Sequence, residues 1–211
     1  HRVIAIAPRS ISTNALTIGA HGIFQLNGFD HTVASLSSLG VDGAFYPSVL
    51  NSSATNPAVL TVGTHATSTT FDGLFGDGGA APLGVTKVGA GTLTLSGSST
   101  NTGPVTVSTG NIALTGDGSF NNATQILISA NSVLDVTARN DGNLNLNSGQ
   151  TLKGNGGLNG NLVALAGSTV NPGASIGTLT ISNNATLQGT LLMEVNRASS
   201  PNCDHLNVVG T

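Results

Sequence analysis

The stretch GAGTLTLSG (residues 89–97) reads as one short strand framed by glycine. Leu93 and Leu95 alternate with Thr92 and Thr94, and Gly97 closes the run. Near-copies stand at 177–182 (GTLTIS), 142–149 (GNLNLNSG), 110–116 (GNIALTG) and 14–19 (NALTIG). An alternation of period two puts the leucines on one face of the strand and the threonines on the other. A chain that rewrites one short strand between glycines is built for stacking, each copy burying the same row of side chains.

The rest of the 211 residues supports that reading. Only 7% are charged and 3% aromatic, with no Trp, against about 25% charged in ordinary domains. Hydrophobic residues still make up 38% and the mean hydropathy is +0.20, so this is not a disordered polyelectrolyte. The core must be thin, repetitive and aliphatic. Candidate strands of about five residues fall at 92–95, 105–107, 112–114, 126–128, 133–136 and 144–146, with a longer run at 187–194. No segment carries the i, i+3, i+4, i+7 apolar spacing of a helix over three turns. In the second half, strand pairs recur about every 20 residues, the period of a solenoid.

An antiparallel sandwich competes with the solenoid. Asn-Gly and Asp-Gly pairs such as Asn27-Gly28, Asp77-Gly78 and Asp141-Gly142 suit hairpins, but they equally turn the corners of a coil. The scarcity of aromatic rings decides for the coil. A sandwich core about 10 Å thick usually holds several large rings, whereas stacked rungs are filled by Val, Leu, Thr and Asn.

Residues 85–116, VTKVGAGTLTLSGSSTNTGPVTVSTGNIALTG, resemble the autotransporter-associated β-strand repeat. Lys87, Gly89, Gly91, Thr92, Leu93, Leu95, Gly97 and Gly110 fall on its Lys-x-Gly-x-Gly-Thr-Leu-x-Leu-x-Gly pattern and the later strand; Thr102-Gly103-Pro104 departs from its usual turn. FQLNGFDHTVASLSSLG (24–40), TTFDGLFGDGG (69–79), GNGGLNGNLVALAGSTVNPGASIGTLTIS (154–182) and CDHLNVVG (203–210) resemble its flanking and later rungs. The resemblance implies an all-β, right-handed parallel β-helix, or β-solenoid, exported to the bacterial surface or the extracellular space. It implies a structural role and no catalytic residues. At about 20 residues per rung the chain would make about ten rungs and a shaft about 50 Å long.

Composition also excludes function classes. With net charge −3 and six Lys plus Arg, no basic patch exists to neutralise a run of phosphates, so nucleic acid is not an expected partner. No apolar run approaches a membrane span. Cys203 is the one cysteine, so no internal disulfide or multi-cysteine zinc site is expected. The nine acids, Asp30, Asp42, Asp72, Asp77, Asp117, Asp135, Asp141, Glu194 and Asp204, mostly adjoin glycine in turn contexts. Arg139 and Asp141 are the one tight charged pair. The five histidines show no metal-ligand spacing, and FGDGGAA (75–81) and GNGGLNG (154–160) are too irregular for calcium-binding nonapeptides. The expectation is a non-enzyme with no cofactor and no metal. Sequons fall at Asn51, Asn122 and Asn184.

The ends hold the functional signal. A solenoid has two open edges, and bare edges pair with other chains; no amphipathic capping helix is evident at either end. Val3, Ile4, Ala5, Ile6 and Ala7 form a short apolar strand stopped by Pro8, and Leu206, Val208 and Val209 close the other end. Residues 1–10 are read as an N-terminal strand and inter-subunit connector, and 11–211 as a single solenoid domain. Strand addition of residues 3–7 beside 206–209 of the next copy would join copies head to tail into a filament. A longer passenger, of which this is one part, fits the ends equally. Two other classes stay open. One is an adhesin binding surface glycans or matrix through the irregular region 42–70 with its Tyr46. The other is a polysaccharide-active β-helix enzyme.

Overall fold

A computed structural model describes residues 2–4, 11–198 and 200–210. Among these there is no helix. The chain climbs a three-faced parallel solenoid of about eight turns. Face one carries a four-stranded sheet, β1 (Arg2–Ile4), β3 (Ile23–Gln25), β5 (Ser48–Leu50) and β8 (Leu74–Gly76). Higher up it carries a three-stranded sheet, β15 (Asn143–Leu146), β18 (Asn161–Ala164) and β21 (Ala185–Leu187). Face two is a continuous nine-stranded sheet. It runs through β2 (Ile11–Ile18), β4 (His31–Ser38), β6 (Ala58–Val62), β9 (Leu83–Lys87) and β11 (Val105–Val107). It continues through β13 (Gln125–Ile128), β16 (Thr151–Gly154), β19 (Thr169–Pro172) and β22 (Thr190–Leu191). Face three has seven strands: β7 (Thr69–Phe71), β10 (Thr92–Leu95), β12 (Asn111–Gly116), β14 (Val133–Arg139), β17 (Gly157–Asn159), β20 (Thr178–Ile181) and β23 (His205–Val208).

The core is a set of vertical ladders. On face two, Leu60, Val85, Val105, Ile126, Leu152, Val170 and Leu191 lie in register one above the next. On face three the column is Leu93, Ile112, Leu134, Leu158, Ile181 and Val208. Leu93 and Leu95 of the quoted stretch are buried, and Thr92 and Thr94 are only partly covered. Outward positions stack too, as in Thr61, Thr86 and Thr106 on face two. Gly89 turns the corner into β10 with φ of 72°. A Cβ there would collide with the Gly63 carbonyl of the rung below. Only glycine allows both the left-handed backbone and that approach.

About eight turns replace the ten expected from a uniform repeat. Steps along face two range from 18 residues (Thr151 to Thr169) to 29 (His31 to Leu60), because loops at 39–47 and 51–57 lengthen that turn. Nine strands at about 4.8 Å span about 38 Å rather than 50. β5, β16, β17 and β19 are strands that the sequence pattern passes over. β5 is only Ser48-Val49-Leu50, too short to show an alternation, and β16, β17 and β19 contain Gly, Asn or Pro, poor strand formers; in-register neighbours above and below recruit all four. The expected run at 187–194 is instead the end of β21, then β22, then a side hairpin.

Candidate functional site

The sequence points to the two ends, and the structure shows what each presents. At the lower end, β1 pairs with β3, with Val3 opposite Phe24 and Ile4 opposite Gln25. Its other edge has no partner among the described residues. Ala5, Ile6 and Ala7 lie outside the described residues. At the upper end, β21, β22 and β23 are each the last strand of their sheet. There the aliphatic ladders run out of cover. Leu187, Leu191 and Val208 are 39%, 40% and 40% exposed, while Ala164, Val170 and Ile181 one rung below are 1% exposed or less. Val209 is also exposed, and Leu206 is half-buried against the core. The last described turn thus presents apolar rows and strand edges that have no partner among the described residues.

The two ends match on faces one and two, and face three begins only at β7. Each turn visits face one, then two, then three. Val3 and Ile4 lie on face one, whereas Leu206 and Val208 lie on face three. A copy continuing the shaft coaxially therefore sets its β1 over β21 and its β2 over β22. The second half of β2, which pairs with 35–38 of β4, is the part that turns toward β23.

The upper end is held by a carboxylate. Among the described residues of this segment, Val195 lies antiparallel opposite Cys203, closing a hairpin. Asp204, 2% exposed, accepts the Gly177 N–H at 2.9 Å through Oδ1 and the Glu194 N–H at 2.7 Å through Oδ2. This pins the hairpin to the corner that precedes β20. Leu192, Met193 and Val195 stand exposed around it.

Several other acids hold turns. Asp30 accepts the Val59 N–H, Asp72 joins Ser38 and Ser96, and Asp77 holds Leu83 and Thr102. Arg139 pairs with Asp141 at 3.0 Å. Its guanidinium, aided by Asn143 and Asn145 and opposed by partial burial, brings the Asp141 pKa to about 2. Burial works to raise the pKa of Asp135, but the hydroxyl and N–H of Thr137 and the amide of Asn159 outweigh it and leave it lowered. Among the described residues, no group of three or more His, Cys, Asp or Glu could hold a metal ion. His21 and His31 do not meet: His21 faces Asp42 at 3.2 Å and Phe45, while His31 is buried edge-on to Phe24.

Two features escape the sequence reading. Lys87, 1% exposed, stands in an inward column between Val62 and Val107. Its Nζ donates to the carbonyls of Val88 and Gly89 at 2.7 Å and of Thr109 at 3.4 Å, and burial lowers its pKa. Buried amides do similar work on another corner. Asn51 donates to the carbonyls of Asn56, Ala81 and Pro82, and Gln150 to those of Phe120 and Ala123. Of the sequons, Asn51 is fully buried, while Asn122 and Asn184 are exposed. A polar residue flanked by strands gives no local sign of which side it faces until the register is known.

Set against family models, curated proteins and solved structures, the chain matches none of them.

Proposed function

We propose that this chain is a non-catalytic structural shaft, displayed at the bacterial surface or outside the cell, that extends by head-to-tail stacking of copies. The observation that carries the reading is the state of the upper end, where three aliphatic columns, buried in the rungs just below, are uncovered in the last. One further layer would cover Leu187, Leu191 and Val208, and the lower end of a second copy offers β1 on face one and β2 on face two in the same direction, with the second half of β2 turning toward face three. Such a contact is heterologous and does not close, so it yields filaments. The resemblance of residues 85–116 to autotransporter-associated repeats supports the exported setting.

Negative-stain microscopy across a concentration series tests this. Rods should lengthen in multiples of one shaft as concentration rises. Leu191→Arg with Val208→Arg, or removal of residues 1–8, should leave single short rods. Single short rods of the unaltered protein at every concentration would refute the proposal.

A further inference from the structure

Face one is not continuous. Its lower sheet stops at β8 and its upper sheet starts at β15; between them the strand ladder gives way to one isolated bridge, Ser98 to Ser119, and to hydrogen bonds such as Thr100 N–H to the Phe75 carbonyl. At this gap, on the corner between faces three and one, a cleft of about 240 Å³ opens on the side of the shaft. Tyr46, Leu74, Ser96, Gly97, Ser98 and Asp117 line it.

Glycine is required at the corner beneath the cleft. A Cβ on Gly73 would collide with the Pro47 carbonyl, and one on Gly97 with the Gly73 carbonyl. At this corner main chain stacks directly on main chain, and the side chains of Leu74, Ser96 and Ser98 border the trough beside it. Tyr46 forms one wall and is about half exposed. Its loop is braced. Asp42 and Phe45 exchange backbone hydrogen bonds at 3.2 and 3.0 Å, and the Phe45 ring stacks on His21 at 4.2 Å. Pro47, next in the chain, accepts the Leu74 N–H. The ring is therefore presented rather than collapsed. Polar groups converge opposite it. Ser96 donates to Asp72, Ser98 shares a hydrogen bond with Ser119, and Asp117 accepts from Asn140 through one oxygen.

We infer that this cleft is a binding site for a neutral oligosaccharide, one sugar ring lying on Tyr46 and its hydroxyls bonding to Ser96, Ser98 and Asp117. One apolar platform with hydroxyl and carboxylate groups around it suits a molecule with an apolar ring face and a polar rim. No lysine or arginine is among the lining residues, and Asp117 repels acidic sugars. A cationic peptide is the less favoured occupant, because Arg139 donates to the carbonyl of Gly118 beside Asp117. The site lies on the flank and is independent of end-to-end stacking.

The chain has one tyrosine and no tryptophan, so its intrinsic fluorescence reports on Tyr46 alone. Cellohexaose, chitohexaose, tetragalacturonate and hexalysine are titrated to about 10 mM, above the roughly millimolar affinity that so small a contact supports. The expected result is a saturable change with at least one neutral sugar and none with the other two probes. By calorimetry with that sugar, Tyr46→Ala should weaken binding at least tenfold and Asp117→Asn several-fold, with circular dichroism unchanged. Silence with both neutral sugars overturns the inference. So does full binding by Tyr46→Ala, or a response to hexalysine stronger than to either sugar.

Discussion

Replacing Lys87 by Met tests whether this solenoid uses a buried cation to hold a corner. Methionine has a similar length, so it keeps the column from Val62 to Val107 filled but cannot donate. The carbonyls of Val88 and Gly89 then lose partners at 2.7 Å, and that of Thr109 loses a weaker one at 3.4 Å. Each buried carbonyl left unpaired costs about 1–3 kcal/mol. Relief from desolvating an ammonium returns part of that, so Lys87→Met should cost about 2 kcal/mol. Lys87→Ala also empties the column and should cost about 2 kcal/mol more. Urea unfolding followed by circular dichroism measures both. The pH dependence supplies the sign. Burial lowers the folded-state pKa of Lys87 below 10.5, so the folded chain releases this proton first as pH rises. Between the folded pKa and 10.5 the unfolded chain holds more protons, and stability rises with pH. The difference in stability between wild type and Lys87→Met should therefore widen across that window. A Lys87→Met protein as stable as wild type at pH 7, or a difference that narrows on raising the pH, would refute the reasoning.

Three further outcomes follow from particular contacts. Gly89→Ala should cost at least about 3 kcal/mol, combining a positive φ with a collision against backbone. Gly149→Ala, at φ of 83° with open space around it, should cost only about 1 kcal/mol, and equal losses in urea melts would discount the collision. Asp204→Ala strips acceptors from two N–H groups, and hydrogen exchange should quicken over residues 192–208 while β10 and β12 keep their protection. The Asp141 pKa of about 2 lies below the ordinary 3.8, so its contribution is present above pH 4 and fades as pH falls toward 2. Its carboxylate is partly exposed, so the effect stays under about 1 kcal/mol, and Asp141→Asn should flatten that part of an acid-melting curve.

How much of this was legible without coordinates differs from element to element. β10 could be read directly, because Thr92-Leu93-Thr94-Leu95 alternates cleanly and its copies recur. The helix-free solenoid follows from such copies and from the lack of rings to fill a sandwich. β17 could not be read: Gly157-Leu158-Asn159 has almost no strand propensity alone and is a strand because Leu158 lies between Leu134 and Ile181. The number of turns was close, about ten expected against about eight, the difference arising because loop lengths vary from rung to rung.

The candidate sites divide in the same way. The apolar character of residues 3–7 and 206–209 marked the ends, but the faces that carry them emerged only on stacking. That Lys87 points inward, that Asp204 clamps a hairpin and that Tyr46 overhangs a bare glycine corner depend on residues about 20 to 50 positions apart being brought together. The linear order of residues thus determined that strands form and coil, because alternation and glycine act within a few residues. Only the tertiary structure decided which side chains meet, because in a solenoid every lateral contact is made with a neighbouring turn, at a spacing set by the loops.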